Sequence, residues 1–216
     1  MECSSLIVLD SNALIKVWLT ELRDVHTKSE QFRTILGRLT YPLVYAALSD
    51  LKVKSTQVST PLEETVGYVF TEEVAVATIL RAALGMVAPI QEILPEAKIF
   101  HIDMYRDEET LQPVWGRSKI PMECENFVWL VPDPMLATGG SAIATISRLK
   151  ERGAKRIVYL GVIAAPEGIK ALSDTHPDVR IVVATVDRKL SDGQSKYPKG
   201  YILPGLGDAG DRQFGT

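Results

Sequence analysis

Cysteine is scarce, with Cys3 and Cys124 the two examples in 216 residues, and neither belongs to a CxxC pair or a Cys/His cluster. A disulfide framework and a structural zinc site of the usual spacing are excluded, and a reducing cytoplasm is the expected compartment. Long apolar runs are missing too. No stretch reaches the roughly 18 apolar residues of a membrane span, and the apolar run within residues 1–10 follows no basic leader. Neither a membrane partner nor processing is expected. Positive charge is not in excess: 24 Lys plus Arg stand against 27 Asp plus Glu, a net charge of -3. Nucleic acid is therefore not an expected partner, and any phosphate the chain handles must be held by a local site. That site is of neither common kind, since the chain has no Walker loop ending in Gly-Lys-Ser/Thr and no Gly-x-Gly-x-x-Gly fingerprint.

What is present fits one α/β domain spanning residues 1–216. With 46% hydrophobic and 24% charged residues the composition is that of a soluble globular chain rather than a disordered one. Residues 12–50 have a helical rhythm, with Leu14, Val17, Trp18, Leu22 and Val25 on one stripe and Phe32, Ile35, Leu36 and Leu39 on another. An N-terminal helical part over residues 1–60 is expected. Within it, Thr27 and Glu30 have the spacing of a capping box, and Pro42 belongs at a first turn or a kink. Short β-branched runs then alternate with helical segments. Residues 66–70, 74–79, 99–104, 127–131, 157–164 and 181–186 read as strands, and 85–94, 141–152 and 166–174 as helices. Most of these strands are apolar throughout, which requires burial on both faces. The expected architecture is a doubly wound, mostly parallel sheet flanked by helices, with right-handed crossovers.

Ligands of such sheets bind beyond the carboxyl ends of the strands. Arg81, Arg106 and the run from Asp133 to Ser141 all follow strands. Two stretches break the alternation. Residues 104–125 are polar, contain Pro113, Gly116 and Pro121, and are expected to form a projecting hairpin or flap. The tail, residues 197–216, is dense in Gly, Pro and Asp, and is either an ordered binding loop or a frayed terminus.

The strongest local signal is Phe127-Val128-Trp129-Leu130-Val131 followed by Pro132-Asp133-Pro134-Met135-Leu136-Ala137-Thr138-Gly139-Gly140-Ser141 and a helix starting near Ala142. A helix start presents N–H groups without internal partners and a positive dipole end, which is an anion site. Gly139 and Gly140 let backbone approach a phosphate, and Thr138 and Ser141 add hydroxyls. Asp133 is suited to sugar hydroxyls instead. Taken alone, Thr-Gly-Gly-Ser is better read as an ordinary turn with Ser141 as cap.

Three strings, DPMLATGGSAIATISRLKERGAKRI, IAAPEGIKAL and GYILPGLGDAGDRQFGT, resemble the uracil phosphoribosyltransferases of the type I phosphoribosyltransferase fold. The resemblance implies transfer of a phosphoribosyl group from 5-phospho-α-D-ribose 1-diphosphate (PRPP) to uracil, giving UMP and pyrophosphate in pyrimidine salvage. It implies PRPP contacts from Arg81, Arg106, Asp133, Pro134, Met135, Leu136, Ala137, Thr138, Gly139, Gly140, Ser141 and Asp208. Uracil would meet the backbone of Ile202, Gly207 and Ala209, with Asp208 alongside. Arg106 and Asp208 would carry the catalytic roles, and Mg²⁺ would be held mainly through PRPP, with Asp208 as the protein's own ligand to it. GTP as an allosteric activator and a homo-oligomer, dimer or tetramer, are further implications. Ala83 stands in ILRAALGM where the family has glycine, so a left-handed backbone there would be strained. Asp103 is unusual in HIDMYRDEET. Asp211 and Arg212 are expected to pair with each other. His26 and His176 read as surface residues and His101 as a core histidine, while Met86, Trp18 and Trp129 read as core. The rival reading is a PRPP-sensing or nucleotide-sensing regulator that binds RNA, which the acidic balance disfavours.

Overall fold

In the computed structural model, which describes residues 6–106, 113–116, 118–194 and 196–216, a parallel sheet lies between two layers of helices. The chain starts with β1 (Leu6–Val8), α1 (Ala13–Arg23) and α2 (Ser29–Ala47), then forms a hairpin of β2 (Val53–Ser59) and β3 (Glu64–Phe70). Next come β4 (Glu73–Ile79), α3 (Leu84–Ile93), β5 (Lys98–Ile102), and the short β6 (Met104–Arg106) and β7 (Pro113–Trp115). The second half runs β8 (Phe127–Pro132), β9 (Met135–Leu136), α4 (Gly140–Glu151), β10 (Arg156–Ala164), α5 (Pro166–Thr175) and β11 (Arg180–Val186). It closes with β12 (Lys189–Leu190), β13 (Ile202–Leu203) and α6 (Ala209–Phe214). The main sheet has the order β1-β11-β10-β8-β4-β5, with β9 also on β10, and every pairing in it is parallel.

Alternation along each strand feeds both layers. Val128 and Leu130 of β8 point into a core completed by Leu19 and Leu22 of α1, Phe32, Leu36 and Leu39 of α2, and Met86 and Ile90 of α3. Trp129 and Val131 point the other way, against Ile146 and Leu149 of α4 and Leu172 of α5. Both faces being covered explains why the strands carry unbroken apolar runs. Met86 and Trp129 are fully buried, as expected, whereas Trp18 is half-buried at the margin of the core; the indole N–H of Trp129 donates to the Cys124 carbonyl at 2.9 Å.

Several expectations change. Residues 66–70 form a strand but not a buried parallel one: β3 pairs antiparallel with β2, and Val66, Tyr68, Val69 and Phe70 are exposed. Strand propensity identifies a pleated segment, whereas the tight turn at Thr60 and Glu63 decides its partner. The first 60 residues are consequently not purely helical, since β1 and β2 lie within them. Lys28, not Thr27, precedes α2; Gln31 accepts from the Lys28 N–H at 3.4 Å, and the Thr27 hydroxyl donates back to the Glu21 carbonyl. Pro42 lies inside α2. His26 is exposed, as expected, but His101 is exposed on edge strand β5 and His176 is buried, its ring within 3.0 Å of the Ser147 hydroxyl. The projecting hairpin exists as β6 paired antiparallel with β7; residues 107–112 and the side chain of Arg106 lie outside the described residues.

At the amino ends of the strands, away from the carboxyl rim, an ionic cluster ties α2 to the sheet. Arg156, the first residue of β10, meets Glu72 at 2.9 Å and Asp50 at 2.7 Å, and Arg180, the first residue of β11, meets Asp50 at 2.7 Å. The hydrogen bond from Arg180, and then the charges of Arg156 and Arg180, lower the Asp50 pKa from 3.8 to about 2. A carboxylate with a depressed folded-state pKa contributes stability that is present above its unfolded value and lost as pH falls through the folded one. Between pH 3.8 and about 2 the protein should therefore lose stability faster than Asp50→Asn, as read from the urea midpoint against pH. Parallel curves for the two proteins would show that Asp50 contributes nothing of this kind.

Candidate active site

The loop after β8 is built around its neighbour β10. The Asp133 N–H donates to the Leu160 carbonyl at 2.9 Å, and the Pro134 carbonyl accepts from both Val162 and Ile163 at 3.0 Å. Proline costs nothing here because the carbonyl, not the N–H, makes the contact. Met135 and Leu136 then resume pairing with β10, and Leu136 accepts from Ala165 at 2.9 Å. The Asp133 carboxylate turns back to accept from the Met135 N–H at 3.1 Å, and its carbonyl receives the buried Tyr159 hydroxyl at 3.0 Å. Burial, reinforced by the Asp133 charge, raises the Tyr159 pKa well above its ordinary value, so the phenol stays a donor.

Gly139 caps α4 with φ +83°, a left-handed backbone that favours glycine. The helix therefore starts at Gly140, two residues earlier than expected, and Ser141 is not its cap. Ala137, Thr138, Gly140 and Ser141 are half-buried around that start, the position at which an anion site is expected. Its outer wall is α5: a Cβ on Gly168 would lie 2.2 Å from the Ala137 carbonyl oxygen, so only glycine allows this approach.

Arg81 sits in the turn between β4 and α3, after a cis Leu80–Arg81 peptide. Ala83 has φ −76° and ψ −7°, ordinary right-handed backbone, so its substitution for glycine brings no strain. The Arg81 guanidinium lies 3.1 Å from the Asp211 carboxylate and faces the Phe214 ring at 5.9 Å. Both ionic partners are about half exposed, so the pair is weak and exchangeable.

The tail is ordered, not frayed. Asp187, buried at the end of β11, accepts two hydrogen bonds from Arg23 at 2.8 and 2.5 Å and one from the Gly205 N–H at 2.8 Å. The chain passes through β12 and β13, a cis Leu203–Pro204 peptide, and Gly205 and Gly207 at φ +68° and +82°. Asp208 then caps α6, accepting from the Asp211 N–H at 2.9 Å. Ile202 and Ala209 are buried, while Gly207 and Asp208 are exposed. Asp211 and Arg212 do not pair with each other. Arg212 instead donates to the carbonyls of Leu22 at 2.6 Å, Asp24 at 2.5 Å and Leu206 at 3.0 Å, over the Phe32 ring. Carbonyls converging from two segments, the end of α1 and the loop before α6, outcompete a neighbouring side chain that faces Arg81.

Arg81, Asp208 and Asp211 thus gather at one place, and the loop of residues 133–141 lies along the same carboxyl edge. Glu167, one residue before Gly168, accepts from the Leu190 N–H at 3.0 Å and links that loop's wall to the tail. Three supporting residues escaped the sequence reading: Asp187, Gly168 and Gln213. A lone acid directly after a strand was the available signal for Asp187. Gly168 and Gln213 are ordinary in helical sequence, and only tertiary contact distinguishes them.

A glycine-capped helix start, a strand-end acid and an arginine facing an acidic tail, all on the carboxyl edge of a parallel sheet, form the arrangement expected of a phosphoribosyltransferase. A family model described as uracil phosphoribosyltransferase matches residues 8–216. The chain is 46% identical over 210 residues to a uracil phosphoribosyltransferase of Roseiflexus castenholzii, covering 97% of this chain and 98% of that one. It is 47% identical over 213 residues to the one from Finegoldia magna, covering 98% and 99%. The solved structure of the AQ2163 protein from Aquifex aeolicus matches with a TM-score of 0.88 at 34% identity, over 97% of both chains. The chain belongs to the uracil phosphoribosyltransferase family, and the expected fold class, enzyme class and reaction stand.

The packing of Gly168 gives a direct test of the phosphate loop. Gly168→Ala should displace the Ala137 carbonyl and lower kcat/KM for PRPP by about 100-fold, the scale of an ångström-sized misplacement of bound substrate. Unchanged steady-state kinetics would show that α5 does not set this loop.

Proposed function

We propose that the chain catalyses displacement of pyrophosphate from PRPP by uracil, giving UMP, with the 5-phosphate at residues 137–141 and the ribose hydroxyls at Asp133. The observation that carries this assignment is the meeting of Arg81 with the tail of Asp208 and Asp211, because leaving group and base must converge on one anomeric carbon. Charge develops on the departing oxygens as the ribose gains oxocarbenium character. Arg81 and Arg106 would meet that charge with permanently ionised donors. Pro134, Met135 and Leu136 hold the loop in register along β10.

Magnesium would be held mainly through PRPP, with the exposed Asp208 carboxylate as the protein's own ligand to it. When bound, it supplies positive charge to the leaving oxygens.

Uracil offers a C=O, N–H, C=O edge, and the backbone of Ile202, Gly207 and Ala209 supplies the complement. Support comes from the ordering of this loop by Asp187, Arg212 and two left-handed glycines. A cytoplasmic setting accords with the free thiol of Cys124, and among the described residues no helix is long and apolar enough to cross a membrane. A homo-oligomer, dimer or tetramer, is supported by the exposed apolar residues of the β2–β3 hairpin. Activation by GTP rests on family resemblance alone and is tested by rates with and without GTP.

Two outcomes follow. Arg106→Ala should lower kcat as well as weaken PRPP binding, because an interaction strongest in the transition state raises the barrier when lost; a raised KM with normal kcat would contradict this. Pyrophosphate release should favour uracil over cytosine by roughly 10⁴ or more in kcat/KM, since cytosine mispairs the backbone groups facing N3 and position 4. Hypoxanthine and orotate should fail, by size and by the carboxylate meeting Asp208. Comparable use of cytosine, or preference for a purine, would overturn the base-site assignment.

A further inference from the structure

Gln213 is a fully buried polar residue next to the site, and none of the roles above uses it. Its amide nitrogen donates to the Ala82 carbonyl at 2.6 Å and to the Ala209 carbonyl at 2.9 Å, while its amide oxygen accepts from the Gly85 N–H at 3.0 Å. Ala82 and Gly85 bracket the turn that follows Arg81, and Ala209 opens α6 directly after Asp208. One side chain therefore joins the arginine turn to the base loop. Its opposite end is held as well, since Arg33 donates to the Gln213 carbonyl at 2.5 Å.

The amide does what no local residue does. The N-cap of α3 is Ala83, which has no side-chain acceptor; the N–H groups of Leu84 and Met86 reach the carbonyls of Arg81 and Ala83 at 3.1 and 3.0 Å, and that of Gly85 is left to an outside partner. Gln213 supplies it from α6. The approach is close enough that a Cβ on Gly85 would fall 2.3 Å from the amide oxygen and 2.7 Å from Leu36. Glycine at position 85 and glutamine at 213 fit as a pair. A leucine or methionine at 213 would fill the space and leave the Ala82 and Ala209 carbonyls and the Gly85 N–H without this partner.

We propose that Gln213 is a positioning residue that couples the pyrophosphate turn to the base loop, so that occupation of either substrate site tightens the other. The inference rests on the assignment of Arg81 to pyrophosphate and of Ala209 to uracil. It separates from that assignment because Gln213 lies behind both loops rather than in the site. A buried hydrogen-bonded bridge between two segments has the contiguity that energetic coupling needs, and its failure would loosen both at once.

The test is steady-state kinetics of Gln213→Met and Gln213→Glu beside Arg81→Ala and the unaltered protein, with folding checked by thermal melting. Gln213→Met should raise KM for PRPP and for uracil together and lower kcat, each by about tenfold, the scale of one lost net hydrogen bond in a reacting geometry. In Gln213→Glu the protonated carboxyl restores one donor and one acceptor, whereas the ionised form faces two carbonyls. Activity should thus recover relative to the unaltered enzyme as pH is lowered, a profile that mere loss of packing would not produce. Wild-type kinetics in both Gln213 variants, with Arg81→Ala impaired, would overturn the bridge alone; an unimpaired Arg81→Ala would overturn the site assignment beneath it. If either Gln213 variant does not fold, amide exchange on the unaltered protein decides. UMP lacks pyrophosphate, yet its binding should slow exchange at residues 82–86, and unchanged exchange there would refute the coupling.

Discussion

Every pairing in the central sheet is parallel, so the carboxyl ends of β4, β8, β10 and β11 open on one edge. This single constraint brings together segments that are far apart in the chain: the turn of Arg81, the loop of Asp133, the wall at Gly168 and the tail beginning at Asp187. Each is short, and none could hold an anion or a base by itself. The sheet supplies their common origin, and burial of its two faces beneath α1, α2 and α3 on one side and α4 and α5 on the other keeps that origin rigid.

Against that frame the tail acts as a second organiser. Ile202, Leu206 and Ala209 seat it in the core, and buried polar contacts fix its path: Asp187 to Gly205 and Arg23, Arg212 to the carbonyls of Leu22, Asp24 and Leu206, and Gln213 to the arginine turn. Buried polar contacts of this kind are costly when incomplete and specific when complete. They suit the role proposed for this loop, presenting backbone N–H and C=O groups to a planar base with little freedom to adjust. The ion pair of Arg81 with Asp211 is of another kind, half exposed and exchangeable, which suits the proposal that Arg81 releases one anion to hold another.

Much of this was legible in the residues. The apolar run of β10, from Ile157 to Ala164, announces a doubly covered strand, and Thr138-Gly139-Gly140-Ser141 after β8 announces a tight turn into a helix start. The tail string identified the base. What stayed hidden depends on tertiary geometry. Residues 66–70 have strand propensity, but propensity does not name the partner strand, and a local hairpin took them. Asp211 and Arg212 are adjacent and opposite in charge, yet α6 points one at Arg81 and the other at the end of α1. His176 looks like a surface residue at a helix end, and α4 covers it. Gln213 gives no sign in the sequence that its amide reaches back across the fold to Ala82 and Gly85.

Where the product lies decides the assignment most directly. A crystal structure with UMP bound should place its phosphate against the N–H groups of residues 137–141, its ribose hydroxyls on Asp133, and its uracil edge along the backbone of Ile202, Gly207 and Ala209, with Arg81 within reach of the vacated pyrophosphate position. A uracil ring directed away from the tail, or a phosphate bound elsewhere than the start of α4, would contradict it.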